Sequence, residues 1–303
     1  MKQGFAERLF AAVDAKRSPA MVGLDPRLEN LPEPFRSRAL AGSATEAAAA
    51  LREYHRALLG VIAPHAAAVK PQAAFFERLG APGIAALADA VERAHELGLL
   101  VVMDGKRGDI GSTAEAYADA WLNGGHRGAL PASDAITVNP YLGEDACAPF
   151  LAAARAAQAG LFFLVKTSNP GAGLFQDHGT PPLAEAVARQ VAAWGEPLRI
   201  AGGWSAVGAV IGATRPEELA RFRALMPHAP FLLPGYGAQG GTAAGLAPAF
   251  DARGHGALVA ASRSVLNAHA RPDLAHLSSW EARTDAALAE MRADLAQLRA
   301  APR

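Results

Sequence analysis

The sequence predicts an α/β protein folded as one (β/α)8 (TIM) barrel, a single catalytic domain over residues 1–303. Three observations carry this. Eight apolar runs of strand length are each followed by a helical pattern. Polar or charged residues close most of those runs at their C-terminal ends. The 303 residues suffice for one such barrel, with no linker composition or short repeat inside it. Parallel strands joined by right-handed helical crossovers close naturally at eight.

Taken in order, residues 3–17 place Phe5, Leu9, Phe10 and Val13 on one side of a short amphipathic helix. Ala20 to Leu24 reads as the first strand and ends in Asp25-Pro26. Residues 27–42, rich in Pro and Arg, read as a loop or insert. Ser43 with Glu46 caps a helix reaching Ile62. Ala66 to Val69 is the second strand, ending in Lys70-Pro71, and a helix follows near 82–97. Leu99 to Met103 is the third strand; Ser112 with Glu115 then forms a capping box for a helix over 112–123. Further strands are read at 135–138, 161–165, 206–211, 231–233 and 256–260. Their helices lie near 144–158, 183–194, from Thr214 onward, and at 277–299. The 171–182 loop is long enough to suggest a functional segment.

Composition narrows the class. Hydrophobic residues are 51% and charged residues 19%, with a formal net charge of zero, so no broad pull toward nucleic acid or an anionic membrane is expected. Cys147 is the only cysteine and reads as a small buried hydrophobe; no internal disulfide can form. No signal peptide or long apolar span is read, and a cytoplasmic enzyme is expected. The nine histidines show no tight ligand spacing, so no metal site is read.

The stretch from Val101 to Thr113 organises the chain. Asp104 and Lys106 share one face if the strand extends that far, and Asp109 follows in a Gly-punctuated turn. Together the strand ends bring Asp25, Lys70, Asp104, Lys106, Asn139, Ser168, Gln239 and Arg263 to one rim, where such barrels build active sites. Lysines at strand ends are costly unless paired, and two of them accompany acids here. After strand seven, Gly235, Gly237, Gly240 and Gly241 allow close backbone approach to a ligand. After strand eight, Arg263 adds a bidentate anion partner. The pattern points to phosphate, and so to an enzyme acting on a phosphorylated small molecule through an Asp/Lys relay.

The motif Asp104-Gly105-Lys106-Arg107-Gly108-Asp109-Ile110 then resembles the Asp-x-Lys-x-x-Asp-Ile signature of the orotidine 5′-phosphate decarboxylases, in their longer bacterial (type 2) form. Val-Lys-Pro-Gln at 69–72, Thr-Ser-Asn-Pro-Gly at 167–171 and Pro-Gly-Tyr-Gly-Ala-Gln-Gly-Gly at 234–241 are similar too. The resemblance implies cofactor-independent loss of CO2 from orotidine 5′-monophosphate, giving uridine 5′-monophosphate in the last step of its de novo synthesis. It implies that Lys106 protonates C6 of the pyrimidine, that Asp104 faces the substrate carboxylate, and that Lys70 completes the charge chain. Asp25 would bind a ribose hydroxyl, Ser168 the pyrimidine edge, and Gln239 and Arg263 the phosphate. Asp109 and Thr113 would reach into the neighbouring subunit's site, making a homodimer with shared sites. Gly105 departs from the alanine common in this type. A Mg2+-dependent sugar-phosphate decarboxylase or synthase of the same superfamily shares the central motif, and a non-catalytic phosphate-ligand sensor could share the barrel.

Overall fold

A computed structural model describes residues 3–200, 203–212, 215–236 and 243–299. Its eight strands are β1 (Ala20–Leu24), β2 (Ala68–Pro71), β3 (Leu100–Arg107), β4 (Ala135–Val138), β5 (Gly160–Lys166), β6 (Val207–Ile211), β7 (Phe231–Leu233) and β8 (Ala257–Ala261). They form a closed barrel in sequence order, every neighbouring pair parallel. Closure comes from β8 on β1, with Met21 opposite Ala260.

Ahead of their polar C-terminal ends the strands are largely apolar because both faces are buried. One face of each fills the barrel: Met21, Ala68, Val102, Ala135, Phe162, Val210, Leu232 and Leu258 form one cluster. The alternate residues, including Val22, Val69, Val101, Ile136, Phe163 and Val259, pack outward under the helices. The N-terminal helix Phe5–Lys16 joins the inner cluster, with Phe5 edge-on to Phe162 at 6.0 Å. It thus occupies the end of the barrel opposite the strand C-termini, and the charged strand ends are left to form the site.

Strand and helix boundaries follow the sequence expectation within a few residues, with three differences. Residues 27–42 are not an open loop: they hold a 3-10 turn, Leu28–Asn30, and a helix, Phe35–Ala41. Leu28, Leu31 and Ala39 are buried, and the Phe35 ring meets Tyr54 at 5.6 Å and Trp280 at 6.1 Å; this tertiary packing outweighs the local Pro and Arg content. Second, Ser112 caps nothing. The helix starts at Gly111, after Ile110 as N-cap, because the Asp109 carboxylate takes the Ile110 N–H at 2.8 Å and tightens the turn one residue early. The capping box at Ser43 and Glu46 does form. Third, the 171–182 loop begins with two short helical turns, Pro170–Ala172 and Gly173–Gln176. Thr214, the expected start of the sixth helix, lies outside the described residues; that helix is seen over Pro216–Leu225. Cys147 is buried. Among the described residues no helix is long and apolar enough to cross a membrane.

Candidate active site

At the C-terminal ends of the strands, β2 and β3 bring two lysines to one carboxylate. Lys70 Nζ donates to Asp104 Oδ2 at 2.6 Å, and Lys106 Nζ to Asp104 Oδ1 at 2.6 Å. Gln72 Nε2 adds a bond to Oδ2 at 3.1 Å and Thr137 Oγ1 one to Oδ1 at 2.9 Å. Both carboxylate oxygens of Asp104 therefore accept two donors each. Lys70 and Asp104 are buried, whereas the Lys106 side chain is 44% exposed. Burial alone would raise the Asp104 pKa, but the charges of Lys70 and Lys106 and their hydrogen bonds outweigh it and hold it at about 2. Asp104 is thus a fixed anion at neutral pH.

This depression sets a stability prediction. A carboxylate whose folded pKa lies below its unfolded value of about 4 stabilises the fold fully above that value. The contribution is lost as pH falls toward about 2. The urea-midpoint difference between the wild type and Asp104→Asn is expected to stay constant from pH 7 to about pH 4 and to shrink below it. A difference that shrinks between pH 7 and 5 would contradict this assignment.

A cavity of about 290 Å³ opens beside this cluster. Lys70, Gln72 and Asp104 line one part of it; Asp25, Asn30, Tyr54, Phe75, Gly235, Ser262 and Arg263 line others. Asp25 follows β1, and its Oδ1 is buried without a hydrogen-bond partner, which suits a donor from a bound molecule. Gly23 permits the wall to close: a Cβ there would stand 1.9 Å from Ser262 Oγ, just past the end of β8, the strand paired with β1. Gly235 has φ +95°, a conformation that side-chain-bearing residues rarely adopt, and it brings the strand-seven loop against the cavity. Arg263 opens the helix Arg263–Leu266, and among the described residues its guanidinium has no hydrogen-bond or ion-pair partner. An uncommitted guanidinium in a cavity with backbone at close approach suits an oxyanion.

The structure thus brings Asp25, Lys70, Asp104 and Arg263 to one cavity; Lys106 is bonded to Asp104 but is not itself among the lining residues. Ser168 follows β5, partly buried, and is not among the cavity-lining residues. Asp109 is in the turn after β3 and makes no bond to Lys106 within this chain; Thr113 is exposed on the helix Gly111–Ala118. Gln239, with Gly237, Gly240 and Gly241, lies outside the described residues. Gly105 has room for a Cβ, its nearest neighbour being Arg107 Cγ at 3.5 Å, so its departure from alanine leaves the site geometry unaltered.

Sequence reading assigned no role to Gln72, Thr137, Tyr54 or Asn30. Thr137 carried a signal, as the lone hydroxyl in the apolar run Ala135-Ile136-Thr137-Val138, and Gln72 ended a motif already singled out. Nothing local marked Tyr54 or Asn30, which reach the cavity only through the folding of the 27–42 segment and the helix behind it.

Comparison with known proteins gives a consistent result. Residues 21–275 match the model of the orotidine 5′-phosphate decarboxylase / HUMPS family. The chain is 43% identical over 297 residues to the orotidine 5′-phosphate decarboxylase of Rhodopirellula baltica, covering 96% of this chain and 98% of that protein. It is 46% identical over 266 residues to that of Deinococcus radiodurans, covering 88% and 90% respectively. The solved OMP decarboxylase of Leishmania donovani superposes with a TM-score of 0.75 at 35% identity, covering 99% of this chain and all of that one. Barrel, charge cluster and sequence agree over nearly the whole length: the chain belongs to the orotidine 5′-phosphate decarboxylase / HUMPS family.

Proposed function

We propose that this protein converts orotidine 5′-monophosphate to uridine 5′-monophosphate and CO2, without cofactor, in pyrimidine nucleotide biosynthesis. The observation that carries the reading is the Lys70–Asp104–Lys106 chain, at 2.6 Å on either side of the carboxylate, beside a cavity also lined by Arg263 and the unpartnered Asp25.

The C6–carboxylate bond breaks, its electron pair stays on C6, and CO2 leaves. Lys106 gives C6 a proton and recovers one from solvent. Repulsion between Asp104 and a substrate carboxylate at about 4 Å is worth only about 4 kcal/mol at an effective dielectric near 20. Enzymes supply up to about 20 kcal/mol for such reactions, so ground-state repulsion is the minor contribution. The larger one is the attraction of a preorganised ammonium for negative charge growing on C6. Asp104 has all its acceptor positions filled, so it acts as a fixed charge that holds and aims Lys106. Lys70 holds Asp104 from the other side. Asp25 binds ribose, Ser168 the pyrimidine edge, and Arg263 with Gln239 the phosphate, whose remote binding energy drives closure.

Asp109 and Thr113 serve the site of a second copy in a homodimer. Two observations support this. Both lie on the rim yet make no bond to Lys106 in their own chain. Large apolar side chains stand exposed on three consecutive loops of the same rim: Ile110 after β3, Tyr141 and Leu142 after β4, Leu174 and Phe175 after β5. We place the reaction in the cytoplasm, where a lone thiol stays reduced.

Purified protein mixed with orotidine 5′-monophosphate in EDTA is expected to lose the orotate absorbance rapidly, with uridine 5′-monophosphate as product. Activity on a sugar phosphate with Mg2+ alone would instead assign the chain to the sister enzymes of the superfamily.

A further inference from the structure

Between Met103 and Arg107, β3 carries a bulge. Met103 is opposite Ile136 and Arg107 opposite Val138, so the three residues Asp104, Gly105 and Lys106 face Thr137 alone. Lys106 takes φ +46° inside this bulge, a left-handed backbone that a side-chain-bearing residue adopts only when its surroundings impose it. The surroundings are on β4. The Lys106 backbone N–H donates to Thr137 Oγ1 at 2.9 Å, and the same hydroxyl donates to Asp104 Oδ1 at 2.9 Å. That Oδ1 also accepts Lys106 Nζ. An ionised carboxylate can only accept, so the hydroxyl proton must point to Asp104 and the lone pair to Lys106 N–H. One side chain, 1% exposed, thereby fixes both ends of the Asp104–Lys106 pair and the direction of each bond.

We propose that Thr137 is a positioning residue for the decarboxylation: its hydroxyl holds the β3 bulge so that Lys106 is delivered to the reacting carbon at the angle proton transfer needs. The inference rests on the roles proposed for Asp104 and Lys106. Bulges beside active sites re-aim side chains, and here the device that locks the bulge is a single hydroxyl on the next strand. Apolar neighbours on β4, Ile136 and Val138, point outward into the helical layer and cannot substitute for it.

The test separates the hydroxyl from the volume. Thr137→Val keeps the shape and removes both bonds; Thr137→Ser keeps both bonds and leaves a small void; Thr137→Ala leaves the void and no bonds. Steady-state kcat and KM for orotidine 5′-monophosphate, product binding and thermal midpoint are measured for each. Expected is a fall in kcat of about 10- to 100-fold for Val, with KM changed by less than about threefold, and recovery to within about threefold of wild type for Ser. If Thr137→Val does not fold, the contrast between Ser and Ala carries the same comparison. If activity follows volume, with Val equal to wild type or Ser no better than Ala, the proposal is overturned. Lys106→Ala is run alongside: substantial turnover there would overturn the proton-donor reading itself, an outcome distinct from an inactive Lys106→Ala with an unimpaired Thr137→Val.

Discussion

Lys106→Ala is expected to lower kcat by at least about 10⁴-fold while uridine 5′-monophosphate still binds. Two contributions are lost together. Removing a positioned proton donor costs about 10²- to 10⁴-fold, and removing a preorganised charge at the developing carbanion about 10²- to 10³-fold more. Binding survives because the groups lining the cavity, Asp25, Lys70 and Arg263, are untouched, and Asp104 keeps Lys70, Gln72 and Thr137 as partners. The local charge falls from two ammoniums and one carboxylate to one of each, so the fold keeps a neutralised Asp104. Single-turnover decarboxylation and product titration by calorimetry measure the two halves separately. Turnover within tenfold of wild type would remove Lys106 from the chemistry.

Arg263→Ala is expected to act on substrate capture. Its guanidinium has no partner among the described residues, so the change should leave the thermal midpoint within about 2 °C. The kcat/KM should fall by at least about 100-fold, mostly through KM, because a bidentate charge-assisted contact to phosphate contributes about 3 kcal/mol or more. Arg263→Lys should recover only part of the loss, since an ammonium lacks the planar fork. A substrate analogue without its phosphate should bind wild type and Arg263→Ala alike. Unequal binding would mean that Arg263 acts on the sugar or base and not on the phosphate. The opposed signatures, kcat for Lys106 and KM for Arg263, separate chemistry from capture.

The barrel was legible because its strands announce themselves twice. Buried on both faces, they begin as continuous apolar runs, which give way to polar residues at Asp25, Lys70 and Asp104. The same periodicity that predicts the fold therefore predicts which residues share a rim. It predicted that Asp104 and Lys106 face one way if the strand runs that far. The strand does reach Arg107, but through a bulge, and the 2.6 Å bond between them is made from that irregular backbone and not from strand alternation. Local signals failed where long-range packing decides. The 27–42 segment looks like a loop by composition, yet Phe35 finds Tyr54 and Trp280 and the segment folds against the cavity wall. Ser112 and Glu115 have capping-box spacing, but Asp109 tightens the preceding turn first.

By itself the sequence determined the strand order, the charged rim and the family, since each depends on residue type and spacing along one chain. Only the tertiary structure decided how the charges are wired. That Asp104 accepts four donors, and that a β4 hydroxyl holds a left-handed Lys106, depends on a two-residue slip between neighbouring strands. The slip belongs to the β3 bulge and its partners on β4, contacts between strands far apart in sequence that the alternation within β3 does not reveal.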